Sequence, residues 1–104
     1  MPTKHATLTD TTPVDIIALA EHQKPEIKFL RVYNAGSSNV VVTLQQVSPG
    51  GTVTKTVDEI PISAGQVEVI SAEDVIYDLD RGHKLQGKLD ASGDVRITIT
   101  YRVK

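Results

Sequence analysis

The groups in this chain that could do chemistry are three histidines, thirteen Asp and Glu carboxylates and a scatter of hydroxyls; there is no cysteine. Disulfides, zinc–thiolate sites and thiol nucleophiles are therefore excluded. His5, His22 and His83 stand far apart, with neither an i, i+4 pair nor an HExxH spacing, and read as solvated surface histidines. Asp78-Leu79-Asp80-Arg81-Gly82 has some of the look of an acidic calcium loop. Its glycine, however, stands one place early, and Leu89 sits where the bidentate glutamate belongs. It reads instead as a turn entering the next-to-last strand. Gly50-Gly51-Thr52 lacks the lysine context of a phosphate loop and reads as a hairpin turn. Asp58-Glu59 and Glu73-Asp74 are adjacent pairs, which on a strand point to opposite faces and cannot act as an acid/base couple. No serine lies in a GxSxG elbow. The expectation is a protein with no catalytic residue, no metal and no cofactor.

Charge and aromatic content narrow the partners. A formal charge of −2 gives no general attraction to phosphate backbones or anionic lipid. The basic residues are dispersed, and the only aromatics are Phe29, Tyr33, Tyr77 and Tyr101, so no stacking platform for nucleic acid is evident. The absence of tryptophan weakens a sugar-binding reading in the same way. The longest apolar run, Ile16 to Ala20, is too short to cross a bilayer, and the first ten residues hold no apolar signal core. Binding or assembly is what remains.

The elements that would position such a surface are strands. With 104 residues there is room for one domain. Val95, Ile97, Ile99, Tyr101 and Val103 alternate with Arg96, Thr98, Thr100 and Arg102, which predicts a strand with one wet face. Leu85 and Leu89 alternate similarly, and Asp90-Ala91-Ser92-Gly93-Asp94 between them has turn chemistry, so the spacing predicts a hairpin. Val40 to Gln45 is a β-branched run between two turn clusters. Glu26 to Tyr33 is apolar on both faces and reads as a central strand, or as one whose outer face a neighbour covers. Thr52 to Ile60 and Gln66 to Ile70 are further strands, separated by Pro61 and Ala64-Gly65. Thr12-Pro13-Val14-Asp15 resembles a helix start, leaving Pro13 to His22 open between helix and strand, and Ser71 to Asp74 could cap one helical turn. The whole predicts an all-β chain, a single antiparallel β-sandwich of jelly-roll or Ig-like type. It would have about 7–8 strands and at most one short helix. Residues 1–11 read as a polar arm and residues 12–104 as the sandwich.

Several of these segments resemble small structural proteins of tailed-bacteriophage virions. Lys28 to Asn34, a Gly/Ser turn, and Val40-Val41-Val42-Thr43-Leu44 are similar to a strand ending in V-x-N that leads into a VTVTL strand. Ile62-Ser63-Ala64-Gly65-Gln66 resembles an L-x-A-G-E turn, Asp80 to Asp90 a G-D-x-L-x-A-x-A-D segment, and Ser92 to Ile99 a closing x-G-x-V-x-V-x-I. The likeness spans residues 12 to 103, departing at His83, where aspartate is common, and in the charged Ala20 to Glu26 loop. It implies a virion-borne capsid decoration (cement) protein that stabilises the assembled head. It also implies a homo-oligomer, a trimer first, with a capsid or neck protein as partner and neither nucleic acid nor membrane. The alternatives are a head-fibre base, a tail or neck accessory subunit, and a module that binds carbohydrate or a host surface. The partner contacts are expected in the arm, at Thr3, Lys4, His5, Thr7 and Thr9.

Overall fold

The computed structural model describes residues 2–20, 22–71 and 75–104. The strands are β1 (Thr3–Leu8), β2 (Val14–Ile17), β3 (Pro25–Asn34), β4 (Val40–Val47), β5 (Val53–Ile62), β6 (Val67–Ser71), β7 (Tyr77–Asp78), β8 (Lys84–Leu89) and β9 (Val95–Val103). They form two antiparallel sheets. Sheet A has the order β1-β9-β3-β6, with the two-residue β7 also on β3; sheet B has the order β2-β8-β4-β5. Setting the short β7 aside, the first strand pairs with the last, the second with the last but one, the third with the sixth and the fourth with the fifth. That nesting is one long hairpin folded over on itself. The fold is a β-sandwich of the jelly-roll kind.

Alternation decides what lies between the sheets. Sheet A contributes Leu8, Leu30, Val32, Val95, Ile97, Ile99 and Tyr101, and sheet B contributes Ile16, Val42, Leu44, Ile60, Ile62, Leu85 and Leu89, all buried in one core. Gly87 lies among them in mid-strand. A Cβ there would stand 2.9 Å from Ile16 Cδ1 and 3.1 Å from Leu8 Cδ1, so its bareness lets β1 and β2 close over β8. Gln46 is the one amide carried into the inner side of β4's end. Its Oε1 accepts from Asp80 N–H at 2.8 Å, and its Nε2 donates to Asp80 Oδ2 at 3.0 Å and Thr54 Oγ1 at 2.9 Å. It pins the 78–82 turn, where Gly82 has φ 77°.

Two expectations change, and two readings left open are decided by the pairing. The polar opening segment is no free arm: Thr3–Leu8 pairs residue for residue with β9, and Leu8 is fully buried. Its low apolar content reflects a position at the margin of a sheet, where every second side chain meets solvent. Leu85 to Val103 is no hairpin either. β8 lies in sheet B and β9 in sheet A, so the turn between them crosses the core. Two strands with the same alternation fit side by side or face to face, and period two does not distinguish these. In β3, the register passes from Ile27 opposite Tyr101 to Phe29 opposite Thr100, leaving Lys28 as an extra residue. This bulge shifts the phase, so Ile27, Leu30 and Val32 all point inward. The central strand is therefore apolar in both phases without needing an outside cover. Finally, residues 14–17 are the strand β2 rather than a helix. The suggested helical turn at Ser71 to Asp74 lies largely outside the described residues. Pro61 sits inside β5, which its edge position permits.

Candidate interaction surface

The pairing register lays out the outer face of sheet A as rows. Thr7, Arg96, Tyr33 and Val67 form one row across the four strands; His5, Thr98, Arg31 and Val69 form the next; Thr3, Thr100, Phe29 and Ser71 form the third. Their common parity on each strand is what turns them out together. The threonines are tied down at the β1 side. Thr3 and Thr100 hydroxyls lie 3.1 Å apart, and His5 Nδ1 is 3.0 Å from Thr98 Oγ1. The Arg31 guanidinium lies 5.8 Å from the centre of the Tyr33 ring, a cation–π contact at the middle of the face. At one corner Arg102 donates through Nε (2.9 Å) and Nη2 (2.7 Å) to Glu26 Oε1, and Lys104 approaches Oε2 at 3.6 Å. Arg102, and then Lys104, hold the Glu26 carboxyl below its ordinary range.

The outer face of sheet B is differently occupied. Gln45 donates to Gln86, Gln86 donates to Asp15 at 2.7 Å, and Lys84 pairs with Asp15 at 3.3 Å. The Gln86 amide, then Lys84, lower the Asp15 pKa. Those polar groups serve one another. The outer face of sheet A instead carries exposed apolar side chains beside its polar ones, with Val67 at 43 % and Val69 at 53 %.

Backbone direction at the two margins of sheet A also follows from single contacts. Tyr101 N–H donates to the Pro2 carbonyl directly opposite at 3.1 Å. Bonded positions alternate in an antiparallel ladder. Lys4, Ala6 and Leu8 therefore bond to β9, and the N–H and C=O of Thr3, His5 and Thr7 point away from it. On the far margin, Asn34 N–H donates to the Gln66 carbonyl at 3.0 Å, which turns the N–H and C=O of Val67, Val69 and Ser71 away from β3.

The five residues expected to meet a partner are thus split. Thr3, His5 and Thr7 share the outer face and the open edge. Lys4 is exposed but alternates to the other side, and Thr9 follows the strand, its carbonyl accepting from Gly93 N–H at 2.9 Å. Sequence reasoning missed Phe29, Arg31, Tyr33, Val67, Val69, Thr98 and Thr100 as members of one surface. Each segment showed the right parity, but only the register brings the three strands into line. The Asp80 carboxylate faces Gln46 rather than other carboxylates, as a turn would have it. His83 Nδ1 lies 3.2 Å from the Arg81 carbonyl of that same turn. Among the described residues no group of three or more His, Asp or Glu side chains is placed to share a metal ion.

Comparison with known proteins gives a fold and no family. No family model matches the chain, and no curated protein matches it in sequence. Among solved structures it is similar to the crystal structure of PirA, at 12 % identity and TM-score 0.56 over 96 % of this chain and 93 % of that one. It is also similar to the Drosophila NLP core (20 % identity, TM-score 0.48, 98 % and 99 % covered) and to the SPBc2 prophage-derived protein YomS (18 %, 0.42, 98 % and 96 %). At 12 % identity the likeness to PirA is one of fold alone.

Proposed function

We propose that this protein is a structural subunit of a tailed-phage virion that works by presenting surfaces and catalyses nothing. It attaches to the assembled head and stabilises it by adding contacts between neighbouring capsid subunits. The observation that carries this reading is the outer face of sheet A with β1 as its open margin. Three consecutive outward backbone positions, Thr3, His5 and Thr7, stand ready to accept a strand from the partner, and the same residues' side chains continue onto the face. The sequence resemblance to virion structural proteins supports the same partner. Occupancy of many lattice sites would then raise head stability by mass action. A glycan-binding reading is less well served, because the Tyr33 ring face that a sugar would stack on already holds Arg31.

Removing the first nine residues is no test of this, since it also removes Leu8 from the core. The test is co-sedimentation with undecorated heads, comparing the native chain with the edge variant His5→Pro, which removes an outward N–H of β1 and leaves the strand's backbone bonds to β9. We expect the native protein to pellet with heads and the variant to stay in the supernatant with its circular dichroism unchanged. Native protein that never pellets with heads, or a variant that pellets as well, overturns the reading.

A further inference from the structure

The four margins of the sandwich are not equally protected against pairing. β5 carries Pro61, Lys55 and two register shifts against β4; β2 has four residues and a shift of its own; β1 is open to an added strand but has no exposed large apolar side chain to seat a second copy. Lysine, proline, bulges and shortness are the devices by which edge strands avoid each other. β6 has no lysine, proline or register shift, and its one charge, Glu68, lies on the inward side of the strand. The strand reads Val67-Glu68-Val69-Ile70-Ser71, runs in even register along β3, and holds two of the three exposed large hydrophobics among the described residues, Val67 and Val69.

We propose that β6 is a self-association edge, at which a second copy of this chain adds its own β6 antiparallel about a two-fold axis through Val69. The register follows from parity. Only Val67, Val69 and Ser71 turn their N–H and C=O outward, so a partner strand must match odd residues with odd ones. The pairing that keeps the whole strand in contact sets Val69 opposite Val69 of the second copy, Val67 opposite Ser71, and Glu68 opposite Ile70. No like charges meet in that register, and each outward N–H and C=O of the five-residue strand gains a partner. On the outer face the valines of both copies become one apolar stripe, continuous with Arg31 and Tyr33 on either side. Two four-strand rows merge into one sheet, and the contact is isologous, so it closes at two. The β1 margins remain at the outer ends, and the inference does not depend on what they bind.

The absence of cysteine makes the register directly testable. Hydrogen-bonded opposite residues have Cα atoms about 5.5 Å apart, within disulfide range. Val69→Cys should therefore give a covalent dimer under mild oxidation. Val67→Cys, whose own counterpart lies about four residues away along the strand, and Val53→Cys on β5 should stay uncrosslinked. In light scattering coupled to size exclusion, the native chain should run at twice its 11.3 kDa mass. Val69→Lys places two ammonium groups opposite each other and should raise the dimer dissociation constant roughly tenfold or more, the fold remaining intact by circular dichroism. A native mass of one chain or of three overturns the proposal. So does Val53→Cys crosslinking faster than Val69→Cys.

Discussion

Glu26 shows how a single ion pair sets the response to acid. It is buried at the corner of sheet A, with Arg102 bound to one carboxylate oxygen and Lys104 near the other. Arg102 first, and Lys104 after it, hold its pKa down in the folded state. The unfolded chain has a glutamate of ordinary pKa, about 4.3. With the folded value the lower, the pair's contribution is full above that pH and is lost as pH falls through the folded pKa. The melting temperature of the native protein should therefore drop more steeply below about pH 4.3 than that of Glu26→Gln, whose amide cannot titrate. Parallel curves in a pH series of thermal melts would remove Glu26 from the account. None of this was legible beforehand. Glu26 and Arg102 are far apart in sequence, and nothing in either segment announces the other.

At the scale of the strand, β9 is the strongest test of alternation. Ile97 is 1 % exposed and Thr98, one residue on, turns outward to His5. Ile97→Asp should leave the chain unfolded, because a domain of this size has only about 5–15 kcal/mol in hand and an unpaired buried carboxylate removes several. Thr98→Asp should fold, with a small loss from the His5 contact; circular dichroism melts compare the two. Leu8→Ala should cost about 2–5 kcal/mol, a loss no mobile arm would show. The strands themselves were readable where side chains alternate cleanly, as in Val40 to Leu44 and Val95 to Val103. What could not be read was pairing. The turn at residues 90–94 has hairpin chemistry and yet joins opposite sheets, since turn residues report local backbone angles and not the destination of the next strand. The bulge at Lys28 was equally hidden, for an extra residue in a two-residue period looks like a strand that is apolar all round. β1 escaped because an edge strand near a rim needs only Ala6 and Leu8 inward, too few to stand out from a polar tail. The outer surface of sheet A was lost with the pairing that builds it.

For the whole molecule, the nested pairing places its two open margins on opposite sides of one sheet. β1 carries threonine, lysine and histidine, and β6 carries valine. A pair of chains joined at β6 would expose β1 at each end, one domain's width to either side of the axis. Such a pair is divalent toward any lattice that accepts a strand at β1. The two attachments reinforce each other when their separation matches that of neighbouring lattice subunits. If the proposed role holds, bridging in this way would stabilise the head with no contact beyond those described.

The same nesting has a consequence in time. Of the strand pairs, only β4 and β5 are neighbours in the chain, while the β1–β9 ladder ties Thr3 to Thr100. Loops of that length close slowly, and sandwiches of such long-range contacts fold in about milliseconds to seconds. The order of events is then constrained. The β4–β5 hairpin, turned at Gly51 with φ 89°, is the one piece that forms on local information. Sheet A cannot be completed until β9, one of its two interior strands and the last of its strands in the chain, has left the ribosome. In stopped-flow measurements Gly51→Ala should slow refolding nearly in proportion to its loss of stability. Leu8→Ala should leave the refolding rate almost alone and speed unfolding instead. A Leu8→Ala that slows refolding, beside a Gly51→Ala that only speeds unfolding, would mean that the two ends of the chain meet before the hairpin forms.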